Sequence, residues 1–300
     1  MSISRNPNGP RDLHAEITDK LIAAIEADPG EPQLPWRKSS GPLSMPVNAQ
    51  TGNAYNGINV IALWVAAELR HFTTPIWATY RQWAEKGAQV RKGEKAATVI
   101  FYKEYRADPD LEDESDDRSR RVARASAVFN ADQVDGFSIP SPEPSLASLG
   151  PVERIGSAER LVGASGARIE HGGQRAFYSP STDHIQMPDE GLFCGTDTMT
   201  RHEAYHGVLL HELVHWTGGK SRLDRQFAKR FGTKAYAAEE LVAEIGSAFL
   251  CSELGITQDT RPDHAKYLAS WLELLKTDNR AIFTGAAKAS EAVTWLRGRG

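Results

Sequence analysis

The sequence predicts a two-domain α+β protein, and three observations carry that prediction. Two segments of strand character, ATVIFYKEY and ASAVFNADQV, bracket an acidic run, ADPDLEDESDD, at 107–117. Two segments of helical character, HEAYHGVLLHELVHW at 202–216 and YAAEELVAEIGSAFLCSELG at 236–255, lie far downstream. Between these groups, SIPSPEPSLASLGP at 138–151 is rich in proline and serine and reads as a linker. The expected domains are therefore 1–137 and 153–300, joined by 138–152, and 300 residues suffice for two separate cores.

The elements follow in order. Leu13, Ile17, Leu21 and Ile25 recur at helical spacing, and the helix is expected to stop at Asp28-Pro29-Gly30. LPWRKSSGP and NAQTGNAYNG read as polar loop, then GINVIALWVAAELR and PIWATYRQWAEKG as two further helices. VRKGEK at 90–95 reads as a basic turn able to hold a phosphate. The two strands come next, with 107–121 as a mobile excursion too polar to pack. RAFYS and DHIQMP are expected as short strands of the second domain, ahead of its two long helices.

The net charge of −4 is concentrated in one place. Residues 1–106 hold thirteen Lys/Arg against ten Asp/Glu, and residues 107–117 hold seven acids and no base. Without that run the first domain is mildly basic. Four of the seven tryptophans, Trp36, Trp64, Trp77 and Trp83, fall in it among basic residues. Rings that stack on unpaired bases, with cations that follow phosphates, are what single-stranded nucleic acid requires. The candidates are Trp36, Arg37, Lys38, Tyr55, Asn56, Trp77, Arg81, Arg91, Lys92 and Lys95, of which the loop groups Trp36-Arg37-Lys38 and Tyr55-Asn56-Gly57 are favoured. Trp64, within VIALWVAAEL, reads as core. Two cysteines, Cys194 and Cys251, are too few for a disulfide framework; with no signal peptide and no apolar run of membrane length, a cytoplasmic protein without membrane contact is expected.

The pattern His-Glu-x-x-His occurs twice, nine residues apart, as HEAYH and HELVH. Residues four apart share a helix face, so His211 and His215 can address one metal ion with Glu212 beside them. Nine residues are about two and a half turns, which points His202 and His206 elsewhere. HELVH sits among Leu209, Leu210, Leu213, Val214 and Trp216 and is the expected site; HEAYH is read as incidental, on the first turns and outer face of the helix. A catalytic ion of this kind takes three protein ligands and a water. Ser221 stands where the HExxHxxGxxH class would place its third ligand, which excludes that class. Glu240, about 25 residues after HELVH, is the expected third ligand, with Glu239 as the alternative; Glu244, one turn further, is expected to orient a ligand histidine. Glu212 is then the general base of a zincin-type peptidase. His264 and Tyr267 are candidates for the oxyanion donor, although Tyr267 with Trp271 reads equally as packing. Zinc is the expected ion, with manganese or cobalt also suited to two histidines and a glutamate.

The order PW, NAQTGNAYNGIN, PIWATYRQW, VRKGEKAATVIFY and VFNADQVDGF resembles the N-terminal domain of the ArdC family of plasmid antirestriction proteins, also similar to part of TraC-type plasmid primases. DHIQMP, HELVHWTGGKSRLDR and YAAEELVAEIGSAFL resemble the zincin-like metallopeptidase domain of the same proteins. The resemblance implies single-stranded DNA binding joined to a peptidase, in a protein that shields incoming DNA of a mobile element from restriction. It carries His211, His215 and Glu240 over as metal positions and Glu212 as base. Two mechanisms are compatible with it: cleavage of an unidentified host protein, or occlusion of the strand by a coating protein whose metal is not catalytic. A nuclease or primase reading lacks support, because the sequence offers no clustered aspartates of the two-metal kind in a folded context: the only such cluster, at 108–117, has the composition of a disordered run.

Overall fold

The computed structural model describes residues 12–27, 33–37, 43–105, 120–139, 151–257 and 264–299. The whole acidic run at 107–117, most of the Pro/Ser linker and Lys38 lie outside the described residues. The chain divides into two compact units, Ser44–Ser145 and a second made of Met1–Leu43 with Leu146–Gly300. This moves the N-terminal helix out of the domain expected at 1–137. Helix α1 (Leu13–Glu26), capped by Asp12, packs with the C-terminal helices, and its Thr18 hydroxyl donates to the Asn279 carbonyl at 2.7 Å.

The 44–145 unit is built on a four-stranded sheet. Strands β1 (Val47–Asn48), β2 (Ile76–Thr79), β4 (Ala97–Tyr105) and β5 (Arg120–Asn130) lie in the order β1-β2-β5-β4, and β3 (Gln89–Val90) pairs with β6 (Val134–Asp135) in a small second sheet. The β4–β5 hairpin runs in register from Ala97↔Val128 to Tyr105↔Arg120, as the strand patterns implied. Helix α2 (Ile58–Arg70) buries Ile58, Val60, Ile61, Leu63, Trp64 and Val65. Its Asn59 does something sequence periodicity does not show. The side-chain amide donates to the Ile100 carbonyl at 2.8 Å and its oxygen accepts from the Ile100 N–H at 2.7 Å, so one side chain satisfies both backbone groups of Ile100 on the open rim of edge strand β4.

PIWATYRQWAEKG was expected as one helix and is instead β2 followed by the short helix α3 (Tyr80–Glu85). Thr79 stops the strand and starts the helix through a capping box with Gln82. Trp77 and Ala78 are both buried because β2 lies between β1 and β5 with both faces covered, which removes the alternation that marks a half-exposed strand.

The other unit combines helices with a three-stranded sheet, β7 (Arg168–His171), β9 (His184–Met187) and β8 (Phe177–Ser179) in the order β7-β9-β8. Helix α4 (Pro151–Ser165) precedes the sheet; α5 (Arg201–Thr217), α6 (Ala228–Phe231), α7 (Ala235–Leu254), α8 (His264–Thr277) and α9 (Ala281–Arg297) follow it. Fifteen of the twenty residues of α7 are buried, including Glu240 and Glu244, so this helix is wrapped on all sides and its glutamates are not a solvated face. Among the described residues no helix is long and apolar enough to cross a membrane.

Candidate metal centre

Helix α5 begins with a capping box in which Thr200 and Glu203 satisfy each other's backbone donors, and it ends at Gly218. The HEAYH segment thus occupies the first turns, as expected, but it is not an outer face. Glu203 pairs with Arg154 at 3.7 Å, Tyr205 and His206 are buried, and His206 Nδ1 lies 2.8 Å from the His202 carbonyl. His202 is exposed and contributes no ligand.

One turn of helix places His211 and His215 together, their ring centroids 4.9 Å apart. The carboxylate comes from α7, which approaches α5 closely because Gly246 lies against Val214; a Cβ there would meet both Val214 methyls at 2.9 Å. His211 Nε2 stands 3.6 Å from Glu240 Oε2, and His215 Nε2 stands 3.5 Å from Glu240 Oε1. Among the described residues this trio forms a group of possible metal ligands, its three donor atoms all within 4.8 Å of one another. Ligands about 2.1 Å from one ion at tetrahedral angles stand roughly 3.4 Å apart, so two imidazoles and a carboxylate at these separations fit a divalent ion with one side open.

Electrostatics describes the same cluster. Burial opposes a charge on His215, but its bonds to Glu239 and Glu240 and the charge of Glu212 outweigh burial and push its pKa up to about 10. Burial likewise opposes ionisation of Glu240, yet His211 and His215 hold its carboxyl far below the usual range.

The carboxylate that orients a histidine is Glu239, held above as the alternative ligand. Its Oε1 lies 3.2 Å from His215 Nδ1, and Arg225 engages both its oxygens. Glu244, expected in that role, is fully buried one turn beyond Glu240 and lines the same cavity. Glu212 is buried, and its Oε2 accepts from the Tyr178 N–H of edge strand β8 at 3.0 Å, which fixes the carboxylate at the wall of the cleft.

The cleft has a volume of about 930 Å³ and is lined by both histidines, Glu212, Glu240, β8 and the aromatics Tyr236, Tyr267 and Trp271. Tyr267 stacks on Trp271, as the packing alternative expected, and it also lines the cleft, its hydroxyl 3.1 Å from that of Tyr236. The side chain of His264 lies outside the described residues. Tyr236 was missed, although it precedes Glu240 by one helical turn. Its ring is 63% exposed, and its phenol is pushed up by partial desolvation at the cleft, by its bond to Tyr267 and by the Glu240 charge, so it stays protonated.

The nucleic-acid candidates in the other unit divide sharply. Trp77 and Tyr55 are 1% and 7% exposed, and Trp36, which groups with the C-terminal unit, is 3% exposed. These rings spend their faces on packing and offer none to a base, which corrects the expectation for all three. The side chain of Arg37 lies outside the described residues. Asn56, Arg81, Arg91, Lys92 and Lys95 are exposed. Arg81 pairs with Glu85, and Arg91 with Glu94 and Asp135, while no ion pair of Lys92 or Lys95 is found among the described residues. Sequence reading passed over Tyr80, whose ring is 52% exposed and lines a groove of about 550 Å³ with Phe129, Arg91 and Lys92.

Residues 11–129 match the family model for the N-terminal domain of anti-restriction factor ArdC, and residues 156–288 match that for a zincin-like metallopeptidase. The chain is 44% identical to protein y4eC of Sinorhizobium fredii over 99% of its own length and 95% of that protein. It is 39% identical to the DNA primase TraC of Escherichia coli but spans only 26% of it. Crystal structures of the antirestriction protein ArdC from plasmid R388 superpose with TM-scores of 0.76 (metal-free) and 0.73 (Mn(II)-bound), at 38% and 37% identity, each covering 96% of this chain and 98% of the other.

Proposed function

The chain belongs to the ArdC family of antirestriction proteins, and from that premise we propose that it binds single-stranded DNA and acts as a metal-dependent peptidase, shielding incoming DNA from host restriction. The observation that carries the peptidase reading is the convergence of His211, His215 and Glu240 beside Glu212 in one open cleft. Those three residues would hold the ion. Zinc is favoured by the donor set, and the Mn(II) in the R388 protein keeps manganese beside it. When bound, the ion lowers the pKa of water and polarises a carbonyl.

The remaining work falls to side chains. Glu212, steadied by the Tyr178 N–H, takes the proton of the attacking water and passes it to the leaving amine, a contribution of about 10²–10⁴-fold. The Tyr236 and Tyr267 hydroxyls, which line the same cleft, are the donors for the negative charge that develops on the carbonyl oxygen. In the 44–145 unit, Tyr80 offers a stacking face and Lys92 and Lys95 offer charge to phosphates. That surface also favours a second reading, occlusion of the strand without cleavage.

A restriction-protection assay separates the two. Wild type and Glu212→Gln are compared in cells at matched expression, after metal content, folding and DNA binding of the variant have been verified. Loss of protection supports the peptidase, and full protection in the variant leaves occlusion as the mechanism.

A further inference from the structure

Two adjacent glutamates, Glu239 and Glu240, both reach His215, and only one of them can be a metal ligand without changing the character of the site. Geometry distinguishes them through Arg225, whose side chain is 1% exposed. Its Nη2 donates to Glu239 Oε1 at 2.6 Å and its Nε to Glu239 Oε2 at 3.1 Å, so both carboxylate oxygens are engaged in a bidentate pair. Its other donors tie down the end of α5: Nη1 to the Thr217 hydroxyl at 2.7 Å and Nη2 to the Val214 carbonyl at 2.6 Å. Space for this guanidinium is built in. A Cβ on Gly218 would come within 2.7 Å of Nη2 and 2.8 Å of Cζ, which accounts for a glycine where the backbone, at φ −73°, requires none.

Resting on the metal reading above, we propose that Arg225 is a positioning residue of the metal centre: it holds Glu239 as the acceptor for His215 Nδ1 and keeps it out of the ligand set, which leaves Glu240 as the only carboxylate on the ion. The pairing neutralises Glu239, and its fork geometry leaves Oε1 one direction in which to accept, along the His215 N–H. Without the guanidinium, Glu239 is an unpaired carboxylate beside a cation and adds a ligand oxygen.

Cobalt(II) is the probe, because its visible absorption weakens as coordination number rises. Full-length Arg225→Met loaded with Co(II) is expected to show a weaker visible band than wild type, and Arg225→Met/Glu239→Gln is expected to regain the wild-type band, since a neutral amide does not compete for the ion. Glu239→Gln alone should keep the band but bind Co(II) about 10–100-fold more weakly, the usual loss when a histidine's outer partner is altered. A wild-type band in Arg225→Met, or a weak band that persists in the double variant, overturns the proposal. Should Arg225→Met not fold, Gly218→Ala, which presses a methyl on the guanidinium, carries the same prediction. Undiminished Co(II) binding by Glu240→Ala would instead overturn the metal reading itself, a separate failure.

Discussion

Metal uptake should depend steeply on pH, because an ion must displace the proton that His215 retains up to about pH 10. At pH 7 removing that proton costs about three pKa units, or roughly 4 kcal/mol at 1.36 kcal/mol per unit, and apparent affinity falls about 10³-fold below its alkaline limit. Between pH 7 and 9 the dissociation constant for Mn(II) should therefore tighten about tenfold per unit, with close to one proton released per ion. Free Mn(II) is counted by electron paramagnetic resonance at several pH values, and the proton count comes from calorimetry in two buffers of different ionisation heat. A dissociation constant flat across that window, or no proton release, refutes the electrostatic argument. The same raised pKa fixes the sign of a stability effect in chelator-treated protein. Its contribution is complete below the unfolded value near 6.5 and is lost as pH rises through about 10, with a ceiling of about 5 kcal/mol. Glu240 is the depressed partner of the same pair, so its share is present above its ordinary value of 4.5 and is lost only as pH falls through its much lower folded value.

Three further outcomes are expected. Gly246→Ala drives a methyl into Val214 at 2.9 Å and should cost about 1–3 kcal/mol in urea unfolding while weakening metal binding, with Val214→Ala in the same chain restoring part of both; independent, additive effects would sink the close-approach argument. Asn59→Ala leaves the Ile100 N–H and carbonyl unpaired and should destabilise the 44–145 unit by about 2–4 kcal/mol, so a melting temperature equal to wild type would contradict the role given to that side chain. Replacing Lys92 and Lys95 by alanine should flatten the salt dependence of single-stranded oligonucleotide binding by a log-log slope of about 1.4, and Tyr80→Ala should cost about 1–3 kcal/mol, both read by fluorescence anisotropy; an unchanged slope would place the DNA elsewhere.

HELVH was legible because helical phase alone puts His211 and His215 on one face, and no partner element is needed to see it. Glu240 was legible as a candidate, but the roles of its neighbours were not. Which glutamate of α7 meets Nδ1 of His215 depends on how two helices separated by a loop cross, and a period of 100° per residue carries no information about that crossing. Arg225 was invisible for the same reason, since its significance lies in Glu239, fourteen residues away. The strand β2 was misread because burial of both central residues, on opposite faces, removes its alternation, and the spacing of Trp77, Tyr80 and Trp83 imitates a helix. Composition placed tryptophans beside basic residues but could not say that Trp36 and Trp77 turn inward. The membership of α1 in the C-terminal unit rests on a contact 261 residues long in sequence, beyond any local pattern.

The amide of Asn59 has a temporal meaning as well. During synthesis α2 emerges before β4, and β4 before the strand β5 that completes its pairing. The first rim of β4 to find a partner can thus be the one turned toward a helix already made, while the other waits for residues 120–130 to arrive. An unsatisfied strand edge is the stage at which nascent chains recruit one another. A single asparagine, forty-one positions upstream, can thus occupy the N–H and carbonyl of Ile100, near the start of that strand, before its hairpin exists.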